Sequence, residues 1–413
     1  MTPTRYGADG GVGRVGGWRV VAGGVVVDVD HSARHGLHTG IQQVVRRTLP
    51  LWERDHPVLA AAWTTGWSGL RSLSEPEQRR VLHWGSPDAP SPGPASGTDP
   101  TGSADPATLV VPWRTVVVIL ETPPSQACDR LAALAQYSGN AVVAVGHDCI
   151  PVVSADLVPA ADTQRFARYL SVLKHARRIA GISRSATTEF AGFAAALPAQ
   201  GLPGPTVIEC PLPTQAGPPQ PADAPRATPL VLSVGSLEPR KNHLALLYAA
   251  ERLWRDDLHF ELLLIAGSGW GDEIPDRIAH LQAQGRPLRV RNSVSDADLA
   301  AAYRQARFSV FASLHEGYGL PVAESLAHGT PVITANYGPT RDIAAAGGAI
   351  LIDPRDDDAL TDAMRSLLTD DHRLHTLRQQ LHTRPTRTWQ HYAHDLWHQL
   401  VQPELPDPPP PPG

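Results

Sequence analysis

An α/β fold of two domains built on parallel sheets is what this sequence predicts, and three observations carry it. Short β-rich runs alternate with helical patterns along the chain, the signature of strand–helix–strand units. A length of 413 residues suits two domains. Pro211–Pro229 is Pro-rich and separates two such blocks, which makes it the expected boundary.

In the first block, strands are expected at Gly24–Asp30, Thr115–Glu121, Asn140–Gly146 and Arg178–Ser183. The apolar stretch Val20–Val29 holds a Gly-Gly pair and Asp28, so it reads as a strand and not as a signal peptide. Thr39-Gly40-Ile41-Gln42 opens a helix with Thr39 as N-cap and Ile41, Val44, Val45 and Leu49 on its apolar face. The second block offers strands at Leu230–Gly235, Phe260–Gly267, Leu288–Val294, Phe308–Leu314, Pro331–Thr334 and Ala349–Ile352. Helices between them include His243–Trp254 and Ser295–Ala306, the latter opened by a Ser-x-x-Asp capping box. Gly85–Ala107 is rich in Pro, Gly and Ser and nearly free of apolar side chains, so it is expected to be a disordered surface insertion. Pro403–Gly413 ends in a proline run and reads as an extended tail. Thr386–Val401 is amphipathic: Trp389, Tyr392, Ala393, Leu396, Trp397 and Leu400 share one stripe. His391, His394 and His398 lie opposite, as a solvated face and not a metal site.

Composition narrows the function. A net charge of −5 gives no nucleic-acid footprint. Three cysteines, Cys128, Cys149 and Cys210, are too few for a disulfide framework and lack metal-ligand spacing, which fits a reducing, cytoplasmic setting. No apolar run approaches the ~18 residues of a membrane-spanning helix.

The chemistry concentrates in Phe308–Thr334, FSVFASLHEGYGLPVAESLAHGTPVIT. It reads as a strand, a glycine-rich turn, a helix starting near Leu320 and a second strand. Pro321 suits the first helical turn and Gly329 the stop. Gly317 and Gly319 let backbone N–H groups approach an anion at the helix N-terminus. Glu316 stands in the mouth of that site, and Glu324 lies further along the helix. The pattern S-L-x-E-G-Y-G-L-P-x-x-E-x-x-x-x-G-T-P-V-I resembles the signature of retaining GT-B glycosyltransferases of the glycogen-synthase-like, group 1 type. The resemblance runs strongly from Leu230 to about Asp353 and patchily from Asp28 to Ser185, where it is similar to a bacterial mannosyl- and rhamnosyltransferase subgroup.

The resemblance implies two Rossmann-like domains facing across a cleft. The expected division is 19–210 for the acceptor-side domain, 211–229 for the linker, 230–385 for the nucleotide-sugar domain and 386–402 for a helix crossing back, with 403–413 as tail. It also implies transfer of a hexose from a nucleotide-sugar, GDP-mannose or similar, with retention at the anomeric carbon, without metal or cofactor. The acceptor would be a glycan, a lipid-linked molecule or a small molecule, with peripheral membrane contact in the lipid-linked case. In this family the first glutamate, here Glu316, approaches the donor sugar, and the second, Glu324, binds the ribose. Gly317, Tyr318, Gly319 and Leu320 form the donor turn between them.

Arg240 and Lys241 sit at a strand C-terminal end, where open α/β sheets bind ligands, and two fixed cations there suit a diphosphate. The plain alternative is a solvated pair beside a helix start. V-G-S-L-E-P-R-K-N resembles the family's basic-pair segment, with Ser236 where many members carry Arg. Leu262–Gly271 ends in a glycine-rich turn, and the resemblance places Gly267 and Gly269 beside the nucleotide. Gly40 falls in a segment similar to the subgroup's T-G-I-Q-R-V-V-R, whose glycine approaches the donor pyrophosphate. His147-Asp148 follows a strand. The bare pair reads as a structural turn, and its likeness to the subgroup's H-D-x-x-P implies a histidine near the donor sugar. Asp28-Val-Asp30 formally matches a metal-binding Asp-x-Asp but ends a first strand, which argues against that reading. Glu121 is a candidate acceptor-side carboxylate, and Ser183 a helix cap. Rival readings are a phosphorylase, a nucleotide-sugar epimerase and a non-catalytic relative of the same fold.

Overall fold

The structure is a computed structural model that describes residues 17–36, 39–84, 108–213, 226–267, 269–292 and 294–406. The expected insertion Gly85–Ala107 lies outside the described residues, as do most of the expected linker and residues 407–413 of the tail. The chain divides into two compact units. The first holds the residues up to Val152, Ala160–Leu212 and the chain from Trp389 on; the second holds Val153–Pro159 and Pro213–Thr388.

Among the described residues, the first unit carries nine strands: β1 (Trp18–Ala22), β2 (Val25–Asp28), β3 (Val58–Trp63), β4 (Leu70–Ser72), β5 (Leu109–Trp113), β6 (Val116–Ile119), β7 (Ala141–Gly146), β8 (Arg178–Gly181) and β9 (Thr206–Glu209). They form one sheet in the order β1-β5-β4-β3-β2-β6-β7-β8-β9, parallel except where β4 runs against β3 and β5. The central strands β2 and β6 are buried at every position, and their continuous valine runs are what a parallel sheet covered on both faces requires. The stretch expected as one strand from Val20 is split at Gly23, whose φ of +67° turns the chain. Its two halves separate, with β1 at the sheet edge and β2 in the centre.

The helix Gly40–Asp55 starts at Thr39 with the reciprocal Thr39–Gln42 capping box. Its Trp52 is buried, and the indole Nε1 donates to the Ala393 carbonyl at 2.8 Å, tying it to the helix Trp389–Leu396. That last helix widens into a π turn over Trp397–Val401 and buries Tyr392, Ala393, Leu396, Trp397 and Leu400. The tail expected from Pro403 on begins later than that. Glu404 accepts from Arg178 Nε at 2.8 Å, which seats residues 403–406 on the unit.

The second unit holds β10 (Leu230–Val234), β11 (Glu261–Ile265), β12 (Leu288–Arg291), β13 (Phe308–Phe311), β14 (Val332–Ala335) and β15 (Ala349–Ile352). All pair in parallel in the order β12-β11-β10-β13-β14-β15. This is the doubly wound Rossmann order, which reverses direction between β10 and β13. The helix His243–Arg255 lies on one face with Leu246, Leu247, Ala250 and Leu253 buried against Leu262, Leu264 and Phe308. Ser295 Oγ accepts from Asp298 N at 3.1 Å, capping the helix Asp296–Gln305 on the other flank of β10. Leu247 is completely buried in this core. Leu247→Ala should therefore cost about 2–5 kcal/mol of unfolding free energy, read as a lower denaturation midpoint in urea.

Candidate active site

The second unit's site begins where β10 and β13 end side by side. After β10 the chain passes Ser236 and enters a short 3₁₀ turn, Pro239–Lys241, and Asn242 takes φ +56° before the helix begins. Ser236 Oγ donates to Glu238 Oε1 at 2.6 Å, and Glu238 Oε2 lies 2.8 Å from Arg240 Nε. After β13, Leu314 N donates to the Arg240 carbonyl at 2.8 Å, which clamps the two loops together. Lys241 Nζ then meets Glu316 Oε1 at 2.5 Å, and Arg240 Nη1 lies 3.3 Å from Glu316 Oε2 and from the His315 carbonyl.

Both partners of the central pair are about 10% exposed. Burial works to raise the Glu316 carboxyl, but the Lys241 and Arg240 charges outweigh it and hold the carboxyl below its usual range. Burial also draws the Lys241 ammonium below its usual range, against the pull of Glu316. Behind the pair, His243 is buried and pushed down to about 4 by that burial, and its Nε2–H donates to the Ser236 carbonyl at 3.1 Å. A neutral imidazole thus fixes the turn without adding charge.

Glycine is required at two places here. Gly319 has φ +102°, and a Cβ on it would come within 2.7 Å of Thr340 Cγ2, so the turn into the helix Leu320–Ala327 admits no side chain. Gly269 presses on the Leu237 carbonyl so closely that a Cβ would overlap it, whereas a Cβ on Gly267 would meet open space. Close approach of the β10 and β11 loops thus accounts for Gly269. Gly317 is buried in the turn, and Leu320 opens the helix with Pro321. Tyr318 differs from expectation: its ring is buried and its hydroxyl donates to the Pro213 carbonyl at 3.1 Å, so it anchors the turn through its side chain. Glu324 is half-buried, and its Oε2 accepts from the buried Tyr303 hydroxyl at 3.1 Å. Burial, with the Glu324 charge beside it, holds Tyr303 protonated well above the usual phenol range.

Ser154 was not foreseen. It belongs to Val153–Pro159, grouped with this unit although it comes from the first half of the sequence, and its Oγ lies 2.7 Å from His315 Nδ1. No sequence signal links residues so far apart.

His147 and Gly40 belong to the first unit. His147 is buried, its Nε2–H donates to the Leu120 carbonyl at 2.8 Å, and burial pushes it down to about 4. It is a neutral ring fixed to the end of β6. Gly40 opens its helix in an exposed position. Glu121 is not a free carboxylate: it accepts from His31 N at 2.6 Å, Ser32 N at 3.0 Å and Ser32 Oγ at 2.5 Å, holding the start of the helix Asp30–Arg34. Asp28 takes the Trp63 indole N–H at 3.0 Å, and Asp30 takes Arg34 at 2.9 Å and Trp63 N at 2.8 Å. The Asp-x-Asp pair thus serves the fold. Burial, reinforced by the Asp30 charge, pushes both Asp28 and Glu121 up to about 7.

Residues 219–384 match the family model described as glycosyl transferases group 1, and this segment contains Lys241, Glu316 and Glu324. The chain is 34% identical over 119 residues to the serotype-specific mannosyltransferase WbdA of Escherichia coli, covering 29% of this chain and 15% of that protein. It is 32% identical over 141 residues to the O-antigen chain mannosyltransferase B of Escherichia coli, covering 34% of this chain and 37% of that protein. These matches span well under half of either relative. Among solved structures, the sucrose-phosphate synthase of Thermosynechococcus elongatus superposes with a TM-score of 0.61 at 17% identity, over 91% of this chain and 97% of that one. At that identity the likeness speaks for the fold, and the fold is GT-B.

Two stability predictions follow from these carboxylates. Glu316→Gln leaves Lys241 buried without its counter-charge and should cost about 3–5 kcal/mol, with much of the loss recovered in Glu316→Leu/Lys241→Met. Urea denaturation of the parent chain and the two variants checks it. Asp28 and Glu121 hold protons in the folded chain that the unfolded chain releases near pH 4, so their stabilisation is present below that and lost as pH rises through about 7. His31, His147 and His243, each lowered to about 4, act in the opposite sense, gaining stability as pH rises from there toward 6.5. Asp28→Asn should therefore fare better relative to the parent chain at pH 8 than at pH 5. Parallel pH profiles for the two proteins would refute the assignment.

Proposed function

We propose that this chain transfers a hexose from a nucleotide-sugar to a hydroxyl of a glycan or similar acceptor, with retention at the anomeric carbon and without a metal ion. The observation that carries the reading is the contact of Lys241 and Arg240 with Glu316 at the Rossmann switch point, beside the N-terminus of the helix Leu320–Ala327. Lys241 has three N–H donors and Glu316 engages one, which leaves two for the oxygens of a donor diphosphate. The helix N-terminus and the backbone of Gly317 and Gly319 add further donors where the leaving group gains charge. Glu316, already oriented by the two cations, is positioned to hold a sugar hydroxyl. Glu324, steadied by Tyr303, is suited to the ribose. The departing diphosphate, on the same face of the sugar as the acceptor, would take the proton from the attacking hydroxyl. The relatives' names favour mannose as the sugar and an O-antigen-like chain as the acceptor, and the sequence resemblance suggests GDP-mannose as the donor.

The test is nucleoside diphosphate release from a panel of nucleotide-sugars in the presence of EDTA, with the anomeric configuration of the product read by NMR. Release that required added manganese, or an inverted product, would overturn the reading. Lys241→Ala should lower kcat by roughly 10²–10³-fold, because it removes charge stabilisation that matters most in the transition state. Glu316→Ala should behave likewise. Glu324→Ala should raise KM with kcat less affected, because ribose binding is shared by ground and transition states. A Glu324→Ala enzyme dead in kcat beside an unimpaired Lys241→Ala enzyme would reverse these roles.

A further inference from the structure

Arg226, Arg286 and Arg289 meet at the end of the second unit's sheet opposite Lys241 and Glu316. They gather where β10, β11 and β12 begin, around Glu261, the first residue of β11. Strand register sets Leu230 beside Glu261 and Leu262 beside Leu288, so backbone pairing holds the three segments together. Strands of four or five residues separate this end from the one bearing Lys241, roughly 15 Å at the usual rise per residue. The arginines, Glu261 and Thr228 line a surface cavity of about 680 Å³.

Among the described residues lining this cavity, three guanidinium groups face one carboxylate. Glu261 is engaged on both sides, by Arg226 Nη2 at 2.8 Å and by Arg289 Nε. Arg286 differs from its neighbours, because its Nε is shielded from solvent and donates to nothing among the described residues. A buried donor on a cation that lacks an acceptor is costly, and an anion beside the guanidinium would offset that cost. Guanidinium forks match tetrahedral oxyanions bidentately, and three forks from three segments fit a dianion better than a carboxylate.

We propose that this cavity binds a phosphate dianion, either free or as the terminal phosphate monoester of a larger molecule, at a site separate from the one Lys241 serves. Arg286 would donate from its two terminal nitrogens. The Arg289 nitrogens not turned to Glu261 would close another side, Arg226 Nη1 would exchange its 3.4 Å contact with Gln305 Oε1 for the anion, and the Thr228 hydroxyl would donate at the rim. Glu261 lies behind its two arginines, which offset its repulsion. The inference is independent of the transferase reading, since it concerns the other end of the sheet.

Calorimetric titration of the full chain with inorganic phosphate, in a chloride buffer free of sulfate, tests it. Lys241→Ala, titrated in parallel, removes the contribution of the first site. Saturable binding should persist in Lys241→Ala and weaken at least about tenfold in Arg286→Gln, with Arg286→Lys falling between because it keeps the charge without the fork. Melting curves confirm that each variant is folded. A second arm sediments the protein with phosphatidylcholine vesicles carrying phosphatidic acid or, at equal surface charge, phosphatidylserine. Capture by phosphatidic acid alone, lost in Arg286→Gln, identifies a lipid headgroup as the source; response to inorganic phosphate without vesicle capture identifies a soluble one. Absence of binding in both arms, binding undiminished in Arg286→Gln, or equal capture by both anionic lipids with no response to inorganic phosphate would overturn the proposal.

Discussion

The contact between Lys241 and Glu316, 2.5 Å long and about nine-tenths buried, depends on strand order more than on either residue. The two are 75 positions apart, and they meet because β10 and β13 are neighbours at the point where the sheet reverses its winding. At that point the loops leaving two adjacent strands diverge and leave a crevice at their C-terminal ends. The pair spans the crevice, and the Arg240 carbonyl, bonded to Leu314 N, sets the spacing of the loops beneath it. Two cations and two carboxylates, Glu238 and Glu316, then alternate around one turn. Such a group is stable when buried because each charge has a partner, and it still presents N–H donors to a ligand.

Backbone constraints protect this geometry. Gly319 can be nothing else, since its positive φ and the proximity of Thr340 exclude a side chain. Gly269 lies against the Leu237 carbonyl, so the β10 and β11 loops pack at backbone distance. Tyr318 ties the same turn to Pro213, and Tyr303 steadies Glu324 from the neighbouring helix. Gly269, Gly319, Tyr303 and Tyr318 are thus structural supports for the few polar groups that face outward.

The first unit solves a different electrostatic problem. Asp28, Asp30 and Glu121 converge at the ends of β2 and β6, each buried, with Arg34 as the nearby cation. Protonation of Asp28 and Glu121 near neutral pH reduces the repulsion, and the N-terminus of the helix Asp30–Arg34 accepts the rest of the negative charge. This makes the unit sensitive to pH near neutrality.

Local features were legible in the sequence wherever local chemistry dictates structure. The valine runs of β2 and β6, the Thr39 and Ser295 caps, Pro321 at the start of its helix and the strand–turn–helix around Glu316 all follow from period, propensity and capping within a few residues. Weak signals were missed. The alanine-rich β3 has little intrinsic strand preference, and β4, β5 and β9 are short or partly exposed, so tertiary pairing decides them. Residue types, read together with the family resemblance, identified Lys241, Arg240, Glu316 and Glu324 as candidates. Only the folded chain showed that Lys241 and Glu316 touch, that Tyr318 and Glu121 turn inward, and that Ser154 reaches His315. Sequence patterns report a residue's preference for its immediate neighbours, whereas burial, partner and charge state are set by strand order, which brings together groups that no local pattern connects.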